Sequence, residues 1–305
     1  MARSTTPGRR PFRGAASAFT LTELLVVLSI VVLLVALVLV ALSAARGNAL
    51  AAVSMSNLRQ WGIGMLNASL DDRGRLPWLG HKMAGQLLNN GNQPAWWANR
   101  AAIYAGYRPY REYFEDAFLN ATGAGGQPLP LPPDRATIFT DPSAELPPPA
   151  PGDPVFLGWF GAGGRRFFFN YVPNEEINDH LPGQWSSPDT RVRLSDIPQP
   201  ANTVLMFEMR SVPQELDTAG LADPTSHPFW GEALNRHKGD WQRFAARHRF
   251  GGHILFADGS VRWVLNRYAS TAADGDFSND STRDFNKPDL IWDPIGPTNQ
   301  GSGQN

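Results

Sequence analysis

From Leu24 to Leu42, nineteen residues follow one another with a single polar member, Ser29. Coiled as a helix, that run spans about 28 Å at ~1.5 Å per residue, close to the ~30 Å hydrocarbon core of a bilayer. No other stretch of the chain approaches it. From Ala44 to Leu70 the pattern turns amphipathic. This stretch has no Pro and is rich in Ala, and Leu50, Val53, Leu58, Trp61 and Met65 fall at intervals of 3, 5, 3 and 4. That is close to a helical stripe, with one irregular step. Gly62 and Gly64 weaken the last turns, and Asp71-Asp72-Arg73-Gly74-Arg75-Leu76-Pro77 is a stop. The pattern predicts one helix of roughly fifty residues, transmembrane over 19–43 and amphipathic over 44–70. Its second half needs a sheet to cover it.

Residues 71–305 read as a globular domain. Between 80 and 120 the chain is aromatic (Trp96, Trp97, Tyr104, Tyr107, Tyr110, Tyr113, Phe114, Phe118), with helix expected around 95–119. Such rings can form a carbohydrate platform, but core packing is the stronger expectation. Ten of the 26 prolines lie between Gln127 and Pro154, which predicts a loop. The short apolar runs Phe167–Val172 and Thr203–Glu208 read as buried strands. His253–Val264 reads as a β-hairpin in which Asp258-Gly259 supplies both positive-φ positions of a type I′ turn. That register sets Phe256 opposite Val261 and Ile254 opposite Trp263. The expected fold is α+β: a long amino-terminal helix on an antiparallel sheet, with a loop-rich insertion.

Composition narrows the chemistry. The 305 residues carry 27 Lys and Arg against 28 Asp and Glu, so there is no basic footprint for nucleic acid. The absence of Cys excludes a disulfide scaffold, a thiolate zinc site and a cysteine nucleophile. No His-Glu-x-x-His, Gly-x-Ser-x-Gly or phosphate-cradling glycine loop occurs, and an enzyme is not expected. Asp274, Asp276, Ser278 and Asp280 alternate like the first half of a calcium loop, but the sixth-position Gly and twelfth-position Glu are replaced by Asn279 and Phe285. Calcium is a weak candidate there, and no other cofactor is indicated.

Residues 1–18 hold Arg3, Arg9, Arg10 and Arg13 and no acid, which points the amino terminus to the cytoplasm and the remainder across the membrane. A secretory signal has a shorter apolar stretch, and a plain anchor gives no reason for Glu23 at its head. Ala18-Phe19-Thr20-Leu21-Thr22-Glu23 followed by the apolar run resembles the amino terminus of type IV pilins and type II secretion pseudopilins. The resemblance implies that a prepilin peptidase cuts between Ala18 and Phe19 and methylates the new Phe19 amine. Gly usually stands before that cut in the family, and Ala18 stands here. It also implies that Glu23 pairs with the Phe19 amine of a neighbouring subunit, which answers the cost of a carboxylate near lipid. The implied location is the inner membrane, crossed once, and a pilus or pseudopilus. The implied partners are the peptidase, like subunits, membrane lipid and an inner-membrane assembly platform. No proline falls between Pro11 and Pro77, so no proline kink is expected.

His248 stands ten positions before Asp258, and with Gly259 the stretch matches a His-x9-Asp-Gly motif found near the carboxyl end of prepilin-like proteins of one large bacterial subgroup. Ser56–Gln60 with Gly62, Gly74–Pro77 and the Arg-Leu-Ser-Asp-Ile…Thr-Val-Leu segment of 193–205 resemble the same subgroup. The stretch from about 80 to 165 has no counterpart in it. His248 and Asp258 are competent metal or catalytic groups, but turn formation already accounts for Asp258, and the structural reading is preferred. The functional expectation is a filament subunit. A membrane-tethered module for a polymer or glycan, or an anchored hydrolase, are the alternatives.

Overall fold

A computed structural model of the chain describes residues 20–80, 93–112, 138–144, 169–177, 191–230, 237–272 and 284–294. The cleavage site Ala18–Phe19, the Asp274–Asp280 stretch and most of the proline-rich segment lie outside them. The chain divides into two compact units, Met1–Asn48 and Ala49–Asn305.

Helix α1, Leu21–Leu70, is 50 residues long and unbroken, as the apolar pattern and the absence of proline require. In the first unit every side chain from Thr20 to Asn48 is exposed, and the helix is long and apolar enough to cross a membrane. The lone polar residue of the run costs little, because the Ser29 hydroxyl donates to the Leu25 carbonyl at 2.6 Å.

The second unit contains the end of α1, α2 (Trp97–Tyr104), strands β1 (Tyr171–Pro173), β2 (Val204–Glu208), β3 (Gly251–Phe256) and β4 (Val261–Leu265), and α3 (Asn266–Ser270). The strands form one antiparallel sheet in the order β1-β2-β3-β4, so the fold is α+β. β2 is buried throughout, as its continuous apolar run predicts, and β3 is buried throughout as well.

The buried stripe of α1 is Ser54, Leu58, Trp61, Met65 and Ala68, with Gly62, Gly64 and Ser69 beside it. Val53 is exposed, which corrects the expected stripe. The irregular step disappears, because Ser54 stands one turn before Leu58 and uses its hydroxyl below. Gly64 lets α2 approach: a Cβ there would collide with the Ala101 carbonyl oxygen and lie 3.1 Å from its carbon. Trp61 packs edge-on against Trp97 and Phe139, each at 5.1 Å, and donates from Nε1 to the Ile138 carbonyl at 2.6 Å. Trp96, Trp97 and Tyr110 are buried in this cluster, which leaves them unavailable as a sugar platform.

The hairpin forms where expected, but one residue out of the expected register. Leu255 pairs with Val261, Ile254 with Arg262 and His253 with Trp263. Only Gly259 takes a positive φ, +87°, while Gly259 N donates to Phe256 O and Phe256 N to Ser260 O. The loop is therefore Ala257-Asp258-Gly259, a type I turn closed by a left-handed glycine, rather than a two-residue type I′ turn. One added loop residue shifts every cross-strand pair by one and changes which side chains share a face. The two consecutive positive φ values of a type I′ turn occur instead before β3, at Arg249 (54°) and Phe250 (64°). There His248 and Gly251 exchange both backbone hydrogen bonds, at 2.7 and 3.2 Å. Two non-glycine residues in this conformation carry strain of order 1–2 kcal/mol each.

Candidate functional site

β2 ends on Glu208 and β3 begins near His253. Because Phe207 pairs with Ile254, the two polar residues are brought together across the strands. The Glu208 carboxylate is fully buried. Its Oε2 accepts from the His253 backbone N–H at 3.0 Å, and Oε1 lies 2.7 Å from His253 Nδ1. The Ser54 hydroxyl of α1 also donates to Oε1, and the Tyr171 hydroxyl of β1 donates to Ser54 at 3.0 Å.

Asp141 and Arg247 complete the cluster. Arg247 donates to Asp141 Oδ2 at 2.9 Å, to both oxygens of Glu215 at 2.8 and 2.7 Å, and to the Met209 carbonyl at 2.8 Å. His248 turns its Nε2 toward Glu208 Oε1 at 3.4 Å and Asp141 Oδ2 at 3.6 Å. That nitrogen is buried and, among the described residues, makes no hydrogen bond of proper geometry.

Burial opposes every charge here, and the neighbours outweigh it. Glu208 would be raised by desolvation, yet His248 and His253 bring it down to about 2. Asp141 is held well below the carboxylate range against its own burial, chiefly by Arg247. Desolvation would discharge His248, yet Asp141 and Glu208 raise it to about 9. Asp141, Glu208, Arg247 and His248 are thus charged, with the His248 imidazolium facing two carboxylates.

The sequence motif singled out His248, and the structure places it at this cluster. Asp258 and Gly259 are elsewhere, in the loop at the far end of β3, six residues or roughly 20 Å of extended chain away. Asp258 Oδ1 accepts from Ser260 N at 2.8 Å, a turn role. The ten-residue spacing of the motif therefore measures one strand with a turn at each end, and it does not assemble a His–Asp pair. Glu208, His253, Asp141, Arg247 and Ser54 escaped the sequence reading. The legible hint was an acid closing an otherwise apolar strand (Val204–Glu208), and nothing comparable marked Asp141 among its prolines.

Glu23 belongs to the first unit and is exposed there. Its Oε2 accepts from Thr20 N at 2.9 Å and Thr20 Oγ1 at 2.7 Å, and Glu23 N donates to Thr20 Oγ1 at 3.2 Å. This is a reciprocal capping box opening α1.

Two other buried polar groups stand apart. Asp240 and Glu175 share Arg243, at 2.7 and 3.9 Å, and burial raises Asp240 to about 6. His227 is buried, and its Nδ1 accepts from Phe229 N at 3.1 Å, so the ring is neutral. Desolvation, then the nearby Arg210, lowers it to about 4. A histidine depressed from 6.5 contributes stability above that pH and loses it as pH falls toward 4. Thermal melts of wild type and His227→Gln should therefore differ in their pH response between 6.5 and 4, with the wild type falling more steeply. Parallel curves would assign that acid sensitivity to other groups.

Comparison with protein-family models, with curated proteins and with solved structures finds no match to this chain.

Proposed function

We propose that the chain is a structural subunit of a type IV pilus-like or type II secretion pseudopilus-like filament, cut between Ala18 and Phe19 and assembled through α1. The observation that carries this reading is a 50-residue helix whose first half is an uncovered apolar rod with one acid at its head. A rod of that kind is stable in lipid or against copies of itself, and water is the wrong solvent for it. The leader takes four arginines with it, and the positive-inside tendency keeps it in the cytoplasm while the globular unit is exported.

Glu23 is prepared for two partners. Both Thr20 contacts fall on Oε2, and among the described residues Oε1 has no partner. An ionised carboxylate offers about four acceptor positions, so Oε1 can receive the Phe19 amine of a neighbour while Oε2 holds the cap. Substitution separates the two roles. Glu23→Gln keeps an acceptor for the cap but has no charge, whereas Glu23→Leu has neither. Both variants should still be processed to an N-methyl-phenylalanine terminus by mass spectrometry, and both should fail to appear in sheared or cross-linked filaments. Normal assembly of Glu23→Gln would reduce Glu23 to a helix cap, and a mature protein still starting at Met1 would sink the filament reading altogether.

A further inference from the structure

We infer that Glu208, His248 and His253, with Asp141 as fourth ligand, form a buried site for a divalent transition-metal ion of the zinc type. The inference concerns the second unit and stands whether or not the chain forms a filament.

Geometry comes first. One ligand atom from each of Glu208, His248 and His253 lies within 4.8 Å of the other two. A tetrahedral ion with nitrogen and oxygen ligands at ~2.0–2.1 Å needs ligand atoms about 3.3 Å apart. Glu208 Oε1 and His248 Nε2 are 3.4 Å apart, and His248 Nε2 and Asp141 Oδ2 3.6 Å. Those separations are too long for good hydrogen bonds and close to the edges of a coordination tetrahedron. The Glu208–His253 contact, at 2.7 Å, must open by about half an ångström, and Asp141, which lies outside the 4.8 Å group, must draw in to serve as the fourth ligand.

The orphaned nitrogen is the second observation. His248 is 7% exposed, and its Nε2 is aimed at two carboxylates without a hydrogen bond to either. Buried polar atoms are satisfied as a rule, and an exception calls for a missing partner. The backbone that carries the ring is held by the strained Arg249-Phe250 turn and by Trp263 Nε1, which donates to the His248 carbonyl at 2.7 Å.

Charge points the same way. Asp141, Glu208 and Glu215 face a single permanent cation, Arg247. That leaves two carboxylates without a permanent cation, the charge a divalent ion supplies. The ligands also carry outer partners that fix their orientation: Ser54 and Tyr171 behind Glu208, and Arg247 and Ser143 behind Asp141, the last through its hydroxyl at 2.6 Å. Imidazole and carboxylate ligands suit zinc or a similar ion better than calcium. In a chain without cysteine, the ion would join β2, β3 and the Asp141 segment, with Ser54 of α1 in its outer shell.

The test uses the full chain in detergent. Protein purified without chelator should contain about one equivalent of metal by elemental analysis. Chelator-treated protein should melt at lower temperature and recover on adding Zn2+, and Co2+ should give the visible bands of a tetrahedral nitrogen–oxygen site. His248→Gln, checked for folding by circular dichroism, should lose the Co2+ bands and the Zn2+-dependent melting shift. Asp258→Ala, at the other end of the motif, should keep both. Substoichiometric metal together with a melting curve indifferent to Zn2+ would overturn the site, as would full Co2+ bands in folded His248→Gln. Loss of the bands in Asp258→Ala alone would move the ion elsewhere.

Discussion

Replacing Arg247 with methionine is expected to cost the globular unit about 3–5 kcal/mol, the range found when one partner of a buried ion pair is removed. The Arg247 guanidinium is buried and remains charged because Glu215 and Asp141 outweigh its desolvation. Its five donors reach Asp141, both oxygens of Glu215 and the Met209 carbonyl, and no other described side chain could satisfy all of these. Methionine fills much of the volume and leaves the buried Asp141 and Glu215 carboxylates without their guanidinium partner. Urea unfolding followed by tryptophan fluorescence reads the loss. The companion variant Arg247→Met/Glu215→Gln removes one orphaned charge and should recover part of it. A single-variant loss below about 1 kcal/mol would mean that the cluster is hydrated and its charges screened.

Gly64→Ala should destabilise the same unit although it improves the helix. In an uncrowded helix, Gly to Ala gains about 1 kcal/mol. At Gly64 the added methyl would run into the Ala101 carbonyl oxygen and sit 3.2 Å from the Ala105 Cβ. A backbone oxygen cannot turn aside as a side chain can. Helix α2 must move off α1, loosening the Trp61–Trp97 contact, and overpacking of this kind costs about 1–3 kcal/mol. The net expectation is a lower melting temperature. Gly47→Ala provides the opposite sign: nothing lies within 4 Å of its Cβ, and the gain in helix propensity should survive. A Gly64→Ala chain at least as stable as wild type would show that α2 docks loosely.

Some of this was legible because it depends on local periodicity. The uninterrupted run from Leu24, the absence of proline to Pro77 and the Asp-Asp-Arg-Gly stop fix α1 at its observed length. The apolar run Thr203–Glu208 and an Asp-Gly turn locate β2 and the hairpin. Legibility failed where one residue mattered. Asp-Gly serves either a two- or a three-residue loop, and only the bonds to Phe256 and Ser260 decide between them. Ser54 reads as a break in the stripe until the partner beneath it is known. His248 was visible through its motif, but the motif pairs it with Asp258, while space pairs it with Glu208 and Asp141.

The sequence by itself determined an α+β chain headed by a long rod of two chemically different halves, because helical period and solvent preference are properties of consecutive residues. Tertiary structure alone decided the buried ionic cluster. Its members come from positions 54, 141, 208, 215, 247, 248 and 253. Each charge is tolerable only when opposite charge and hydrogen bonds from distant segments surround it, and no local pattern encodes that meeting.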